Sequence, residues 1–166
     1  MTSASGVPRA TPDVAASRRK WGIDPDSAKV VRFMTTQIDI PDTDADLLDA
    51  PLTAVLTTVG PNGQPQSTAI WFLIDDDGGL KTSITTDRQK YRNLTRDPKA
   101  TLFVLDPANP FRTLEVRATV DLTPDPDKAL VPKFAARYST PVEMLDLPGS
   151  ERVVAAFTPV CIVANG

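Results

Sequence analysis

Between Thr113 and Asp121 the side chains alternate: Leu114, Val116, Ala118 and Val120 are apolar, while Thr113, Glu115, Arg117, Thr119 and Asp121 are polar. A period of two puts the two sets on opposite faces of an extended chain, so this segment is a strand with one oily and one wet face. Such strands belong to antiparallel sheets packed on a core from one side. The rest of the chain reads the same way. Leu52 to Val59 is β-branched and apolar, Pro61-Asn62-Gly63 has the turn chemistry of a tight hairpin, and Gln66 to Ile74 is the returning strand. On that strand Ser67, Ala69, Trp71 and Leu73 share one face, and Gln66, Thr68, Ile70, Phe72 and Ile74 the other. A turn at Asp75 to Gly79 leads into a third strand, Leu80 to Thr86. Ala100 to Leu105, apolar on both faces, is predicted to be buried on both sides, and Arg152 to Val163 to form one or two strands interrupted at Pro159.

Helices punctuate these strands. Asp42 and Thr43 can cap a short one that ends before Pro51, and Arg88 to Arg96 is a second, capped by Asp87 and stopped by Asp97-Pro98. Pro124 to Tyr138 reads as a third, kinked or split at Pro132, followed by loop from 139 to 150. The expected fold is mainly β (α+β): a closed or partly closed barrel of about six antiparallel strands with a few peripheral helices. Residues 1–28, rich in Ser, Ala, Pro and charge, are expected to form a mobile arm, and 29–166 the barrel domain.

Composition removes whole classes of function. The 166-residue chain has no histidine, so imidazole acid–base catalysis, Ser-His-Asp and Cys-His nucleophiles and the usual zinc sites each lack a part, and no metal site is expected. A net charge of −3 argues against a nucleic-acid partner. No apolar stretch is long enough to span a bilayer, no secretory leader is evident, and the single cysteine, Cys161, cannot form an internal disulfide; a cytoplasmic protein without a membrane partner is expected. GxxxxGK[ST] and GxGxxG are both absent.

The junction from Ser83 to Lys99 has an unusual charge. Arg88 and Lys90 fall in the predicted first helical turn, where the peptide dipoles already present positive potential; each cation is disfavoured there by roughly 0.3–1 kcal/mol, and a bound anion would reverse the sign. With hydroxyls at Ser83, Thr85 and Thr86, the junction has the parts of a phosphate cradle, although basic helix starts are common without one.

The ordered set of an Asn62-Gly63 turn, a strand ending Ile70-Trp71-Phe72, the run Lys90-Tyr91-Arg92-Asn93-Leu94-Thr95-Arg96-Asp97-Pro98, then Asp106-Pro107-Ala108-Asn109-Pro110-Phe111 and Leu114-Glu115-Val116-Arg117, resembles the flavin-binding split β-barrel superfamily of pyridoxamine 5′-phosphate oxidase. The resemblance is greatest to its deazaflavin (coenzyme F420) branch and covers roughly residues 45–160. It implies a homodimer with coenzyme in a groove between subunits. Ser83, Thr85, Arg88 and Lys90 would lie near its phosphate, Gln66, Ser67 and Thr68 along its ring, and Phe111 against the ring as an aromatic contact. Trp71 and Arg112 are candidate substrate contacts, although a tryptophan in such a strand more often belongs to the core or a dimer interface. Ala118 departs from the glycine usual in that branch after the LEVR run.

The resemblance implies an oxidoreductase passing hydride from reduced F420 to a conjugated small molecule, with chemistry carried by the ring, so that no histidine is needed. An FMN-dependent oxidase or reductase and a non-catalytic flavin or deazaflavin carrier are the alternatives. No side chain is assigned to catalysis; Tyr91, Tyr138 or water would have to supply a proton, and both tyrosines are better suited to structural roles. The anionic tail of F420 would call for further cations, which Arg18, Arg19, Lys20, Lys29 and Arg32 would supply.

Overall fold

The computed structural model describes residues 31–32, 39–40, 42–146 and 148–166. The proposed arm at 1–28, with Arg18, Arg19 and Lys20, lies outside these residues, as does Lys29.

The chain forms a seven-stranded, wholly antiparallel curled sheet with helices at its margins. The class is as expected; the main sheet has one strand more, because the predicted Gln66–Ile74 strand divides. In chain order the elements are β1 (Val31–Arg32), β2 (Asp39–Ile40), α1 (Asp42–Asp49), β3 (Thr53–Val59), β4 (Pro65–Trp71), β5 (Leu73–Ile74) and β6 (Leu80–Thr85). Then come α2 (Gln89–Arg96), β7 (Lys99–Leu105), β8 (Thr113–Pro124), α3 (Leu130–Arg137), α4 (Val142–Leu145) and β9 (Arg152–Asn165). The main sheet runs β4-β3-β7-β8-β9-β6-β5, and β1 pairs with β2 in a separate ribbon that the sequence did not announce.

The division at Phe72 closes the barrel. β4 and β5 are consecutive in sequence yet lie at opposite ends of the sheet, so the chain crosses the open seam between Trp71 and Leu73. Phe72 has no exposed surface. Its N–H donates to the Tyr138 hydroxyl at 3.1 Å, and that hydroxyl lies 2.8 Å from the Phe72 carbonyl and 2.9 Å from that of Leu52. The Thr82 hydroxyl donates to the Trp71 carbonyl at 2.7 Å, tying β6 to the end of β4 across the seam. Backbone groups that lack a strand partner are thereby satisfied by side chains.

Inside the curl, Leu56, Leu80, Leu102, Val104, Leu114 and Val116 are at most 1% exposed, and Leu47 and Leu48 of α1 join the same cluster. The hairpin turn is as predicted: Gly63 has φ +80°, where a side chain is strained, and a Cβ on Gly60 would lie 2.9 Å from the Gln64 carbonyl oxygen.

Four expectations are corrected. β7 has one wet face, not two buried ones: Ala100, Leu102 and Val104 point inward, while Phe103 and Leu105 are 36% and 43% exposed. β8 continues to Pro124 against β9, so the third helix starts only at Leu130 and Pro132 sits in its first turn, where no intrahelical bond is lost and no kink arises. β9 is one unbroken strand; Pro159 is accommodated by a bulge in which Cys161 opposes Arg117 and Pro159 opposes Ala118, leaving Val160 unpaired and 61% exposed. Within the loop expected at 139–150, α4 forms one helical turn.

Candidate functional site

β6 alternates, with Leu80, Thr82 and Ile84 buried and Lys81, Ser83 and Thr85 on the other face. The chain then turns, with the Arg88 N–H bonded to the Thr85 carbonyl at 3.2 Å, and enters α2. The helix begins one residue later than the sequence implied. Arg88 occupies the N-cap and makes no side-chain cap, and the Asp87 carboxylate accepts from the Thr85 hydroxyl at 2.5 Å instead of capping. That bond, rather than the helix, is the main cause holding the Asp87 carboxyl below its ordinary value. The first turn of α2 is left without an acidic residue.

Beside this junction, at the barrel seam, lies a cleft of about 170 Å³, lined among others by Trp71, Ser83, Lys90, Val131, Phe134 and Arg152. None of its lining residues is acidic. Lys90 makes no hydrogen bond or ion pair among the described residues, and burial first, then the charge of Arg88, pushes its ammonium below the ordinary value. Arg152 donates from Nη1 to Ser83 Oγ at 3.1 Å, and its side chain is only 12% exposed. Trp71 stacks on Tyr138 with ring centroids 4.3 Å apart and planes 3° from parallel, forming a rigid apolar wall.

Of the predicted residues, the structure brings Ser83, Lys90 and Trp71 together in the cleft. Thr85 is engaged by Asp87, and Arg88 is 64% exposed with Nε 3.8 Å from Asp87; neither is among the cleft residues. Gln66 and Thr68 share the inward face of β4; Ser67 faces the opposite way, its hydroxyl 2.8 Å from that of Thr57. Gln66 Oε1 accepts from Asn93 Nδ2 at 2.7 Å, whereas Thr68 Oγ1 is buried with no hydrogen-bond partner among the described residues. Phe111, 83% exposed, and Arg112 lie on the β7–β8 loop and are not among the cleft residues. The Arg112 guanidinium pairs with Asp46, with Asp106 at 3.2 Å and with Asp44 at 3.6 Å, which clamps that loop to α1 and occupies the charge. Arg152, at the start of the last strand, carries no motif and escaped sequence reasoning. Among the described residues no cluster suited to a metal ion exists, and no helix is long and apolar enough to cross a membrane.

The model of the family described as pyridoxamine 5′-phosphate oxidase matches residues 40–160. The chain belongs to this family. A solved structure named F420 reductase is 39% identical, with 75% of this chain and 98% of that one covered at a TM-score of 0.67. At lower identity the fold alone is shared: a conserved hypothetical protein from Mycobacterium tuberculosis (23% identity, 81% and 89% covered, TM-score 0.63) and a haem storage protein from Vibrio cholerae (16%, 75% and 93%, TM-score 0.61). No curated protein sequence matches the chain significantly. The family's fold thus appears on proteins with different named roles, and the site must carry the functional argument.

Proposed function

We propose that this protein is an oxidoreductase that binds a phosphorylated flavin-type coenzyme, the deazaflavin F420, and reduces a conjugated small molecule. One observation carries the reading: Lys90 is half-buried in a cleft without acidic lining and has no anionic partner among the described residues. A desolvated ammonium without a counter-ion is unfavourable unless a ligand supplies one. The 39% identical structure named F420 reductase favours F420 among phosphorylated flavins. Gln66, Ser67 and Thr68, which the resemblance placed along the ring, are not among the cleft's lining residues; Gln66 and Thr68 face inward, away from the β4 face that carries Ala69 and Trp71.

When bound, the reduced coenzyme supplies the hydride. The protein's own part is to bind, orient and exclude water. Lys90 and Ser83 hold the phosphate, while Gln66, turned inward and bonded to the buried Asn93, ties β4 to α2 and so fixes the strand from which Trp71 projects. Trp71, stacked on Tyr138, walls the cleft. Tyr138 does no acid–base work, since its hydroxyl is committed to the backbone of Leu52 and Phe72. Val55 and Phe103, paired across β3 and β7 on the outer face and 40% and 36% exposed, form with Leu105 an apolar surface suited to a second copy of the chain.

The test is a fluorescence titration with F420 and with FMN, followed by single-turnover oxidation of the reduced coenzyme by quinone and enone acceptors. F420 should bind at least tenfold more tightly and be reoxidised. Preference for FMN would favour the FMN-dependent reading, which the family match supports. Tight binding without reoxidation would indicate a carrier, and binding of neither coenzyme would overturn the proposal.

A further inference from the structure

Arg152 has more donors than partners. A guanidinium offers five N–H groups. Two are used, by Ser83 Oγ at 3.1 Å and by the Leu145 carbonyl, while Nε is buried with no hydrogen-bond partner. The nearest carboxylate, Asp146, stands 3.9 Å from Nε and is already engaged by Lys128 at 2.6 Å and by the Ser150 hydroxyl at 3.1 Å. Ser83 accepts from Arg152, so its own proton remains free to donate. Across the same cleft stands Lys90, with three donors and no partner among the described residues. Two cations and a hydroxyl therefore share a small cleft that has no acidic lining and whose other walls include Trp71, Val131 and Phe134. In such a setting charge-assisted hydrogen bonds are strong, and two cations with only one distant, shared carboxylate, Asp146, between them favour the arrival of an anion.

We infer that Arg152 is an anion-binding residue that grips a phosphate ester jointly with Lys90 and Ser83, the apolar wall taking the group esterified to it. The inference rests on the proposed coenzyme reading only in naming the ester. Arg152 is held ready by two fixed acceptors, one on β6 and one on α4, so it has little conformational freedom left to lose on binding.

The test compares wild type with Arg152→Gln, using pairs of ligands that differ only in phosphate: FMN with riboflavin, and the 5′-phosphate ester of the deazaflavin alcohol with the free alcohol. Arg152→Gln should weaken the phosphorylated member at least tenfold and leave the other within twofold. Phenyl phosphate, followed by calorimetry, separates this claim from the coenzyme reading. Loss of phenyl phosphate binding in Arg152→Gln supports the inference even if no flavin binds. Equal affinity of wild type and Arg152→Gln for the phosphorylated ligands, an equal loss for both members of a pair, or no binding of any phosphate ester to wild type overturns it. Should Arg152→Gln fail to fold, Arg152→Lys takes its place. One ammonium cannot serve Ser83, Leu145 and an anion in the guanidinium's geometry, so a selective loss of several-fold is expected, and unchanged affinity overturns the inference.

Discussion

Asn93 and Lys90 lie three residues apart on one helix and make opposite contributions. Asn93 has no exposed surface, donates to Thr58 Oγ1 at 3.0 Å and Gln66 Oε1 at 2.7 Å, and accepts from Gln89 Nε2 at 3.0 Å. Replacing it with leucine strands three polar partners, and Asn93→Leu should lower unfolding free energy by roughly 2–3 kcal/mol in urea titration. Lys90 is the reverse case: burial and Arg88 disfavour its charge. Its folded pKa lies below the ordinary 10.5, so between the two values the unfolded chain binds more protons and stability rises with pH. Lys90→Met should therefore raise the melting temperature of the ligand-free protein near pH 7, with the gain disappearing above about pH 10.5. The same change should weaken the phosphorylated coenzyme at least tenfold; a variant that melts lower and binds normally would contradict both halves. Lys90 and Ser83 were legible because one local run contains them. Arg152, 69 positions from the serine it bonds, was not.

At the scale of elements, α3 forms part of the cleft wall through Val131 and Phe134 and is anchored by charge at its outer side. Lys133 reaches Asp76 at 2.7 Å and Asp75 as well, and Asp75 also accepts from Lys81 at 2.8 Å. Burial alone would raise the Asp75 carboxyl, but the hydrogen bonds from Lys133 and Lys81 together outweigh it and hold it down to about 2. A depressed carboxylate contributes stability that is complete above its ordinary 3.8 and is lost as pH falls toward 2. Lys81 is shifted up, so its share is complete below 10.5 and is lost at higher pH. Asp75→Asn should therefore destabilise by roughly 1 kcal/mol at pH 7 and by nearly nothing at pH 2, measured by thermal melts across that range. Element types were largely legible from period and punctuation, whereas two boundaries were not. Pro132 sits in a helix start rather than an interior because β8 continues into pairing with β9, a long-range preference that local propensity does not register.

For the whole molecule, the outer face of β3 and β7 leaves Val55, Phe103 and Leu105 substantially exposed. If a second copy covers them, Phe103→Glu should convert a dimer to a monomer in size-exclusion chromatography with light scattering while leaving far-UV circular dichroism unchanged. A monomeric wild type would refute that use of the face. Alternation along the strands, the turn residues and the missing histidine determined the fold class and excluded imidazole chemistry, since each depends on near neighbours or on composition alone. Tertiary structure decided where the barrel closes, which cations stay unpaired and which are consumed. Arg112 and Lys90 are both cations beside aromatic residues in sequence, yet folding delivers carboxylates to Arg112 and an acid-free cleft to Lys90. Electrostatic free energy depends on distances through space, and the chain fixes those distances only once its sheet has curled.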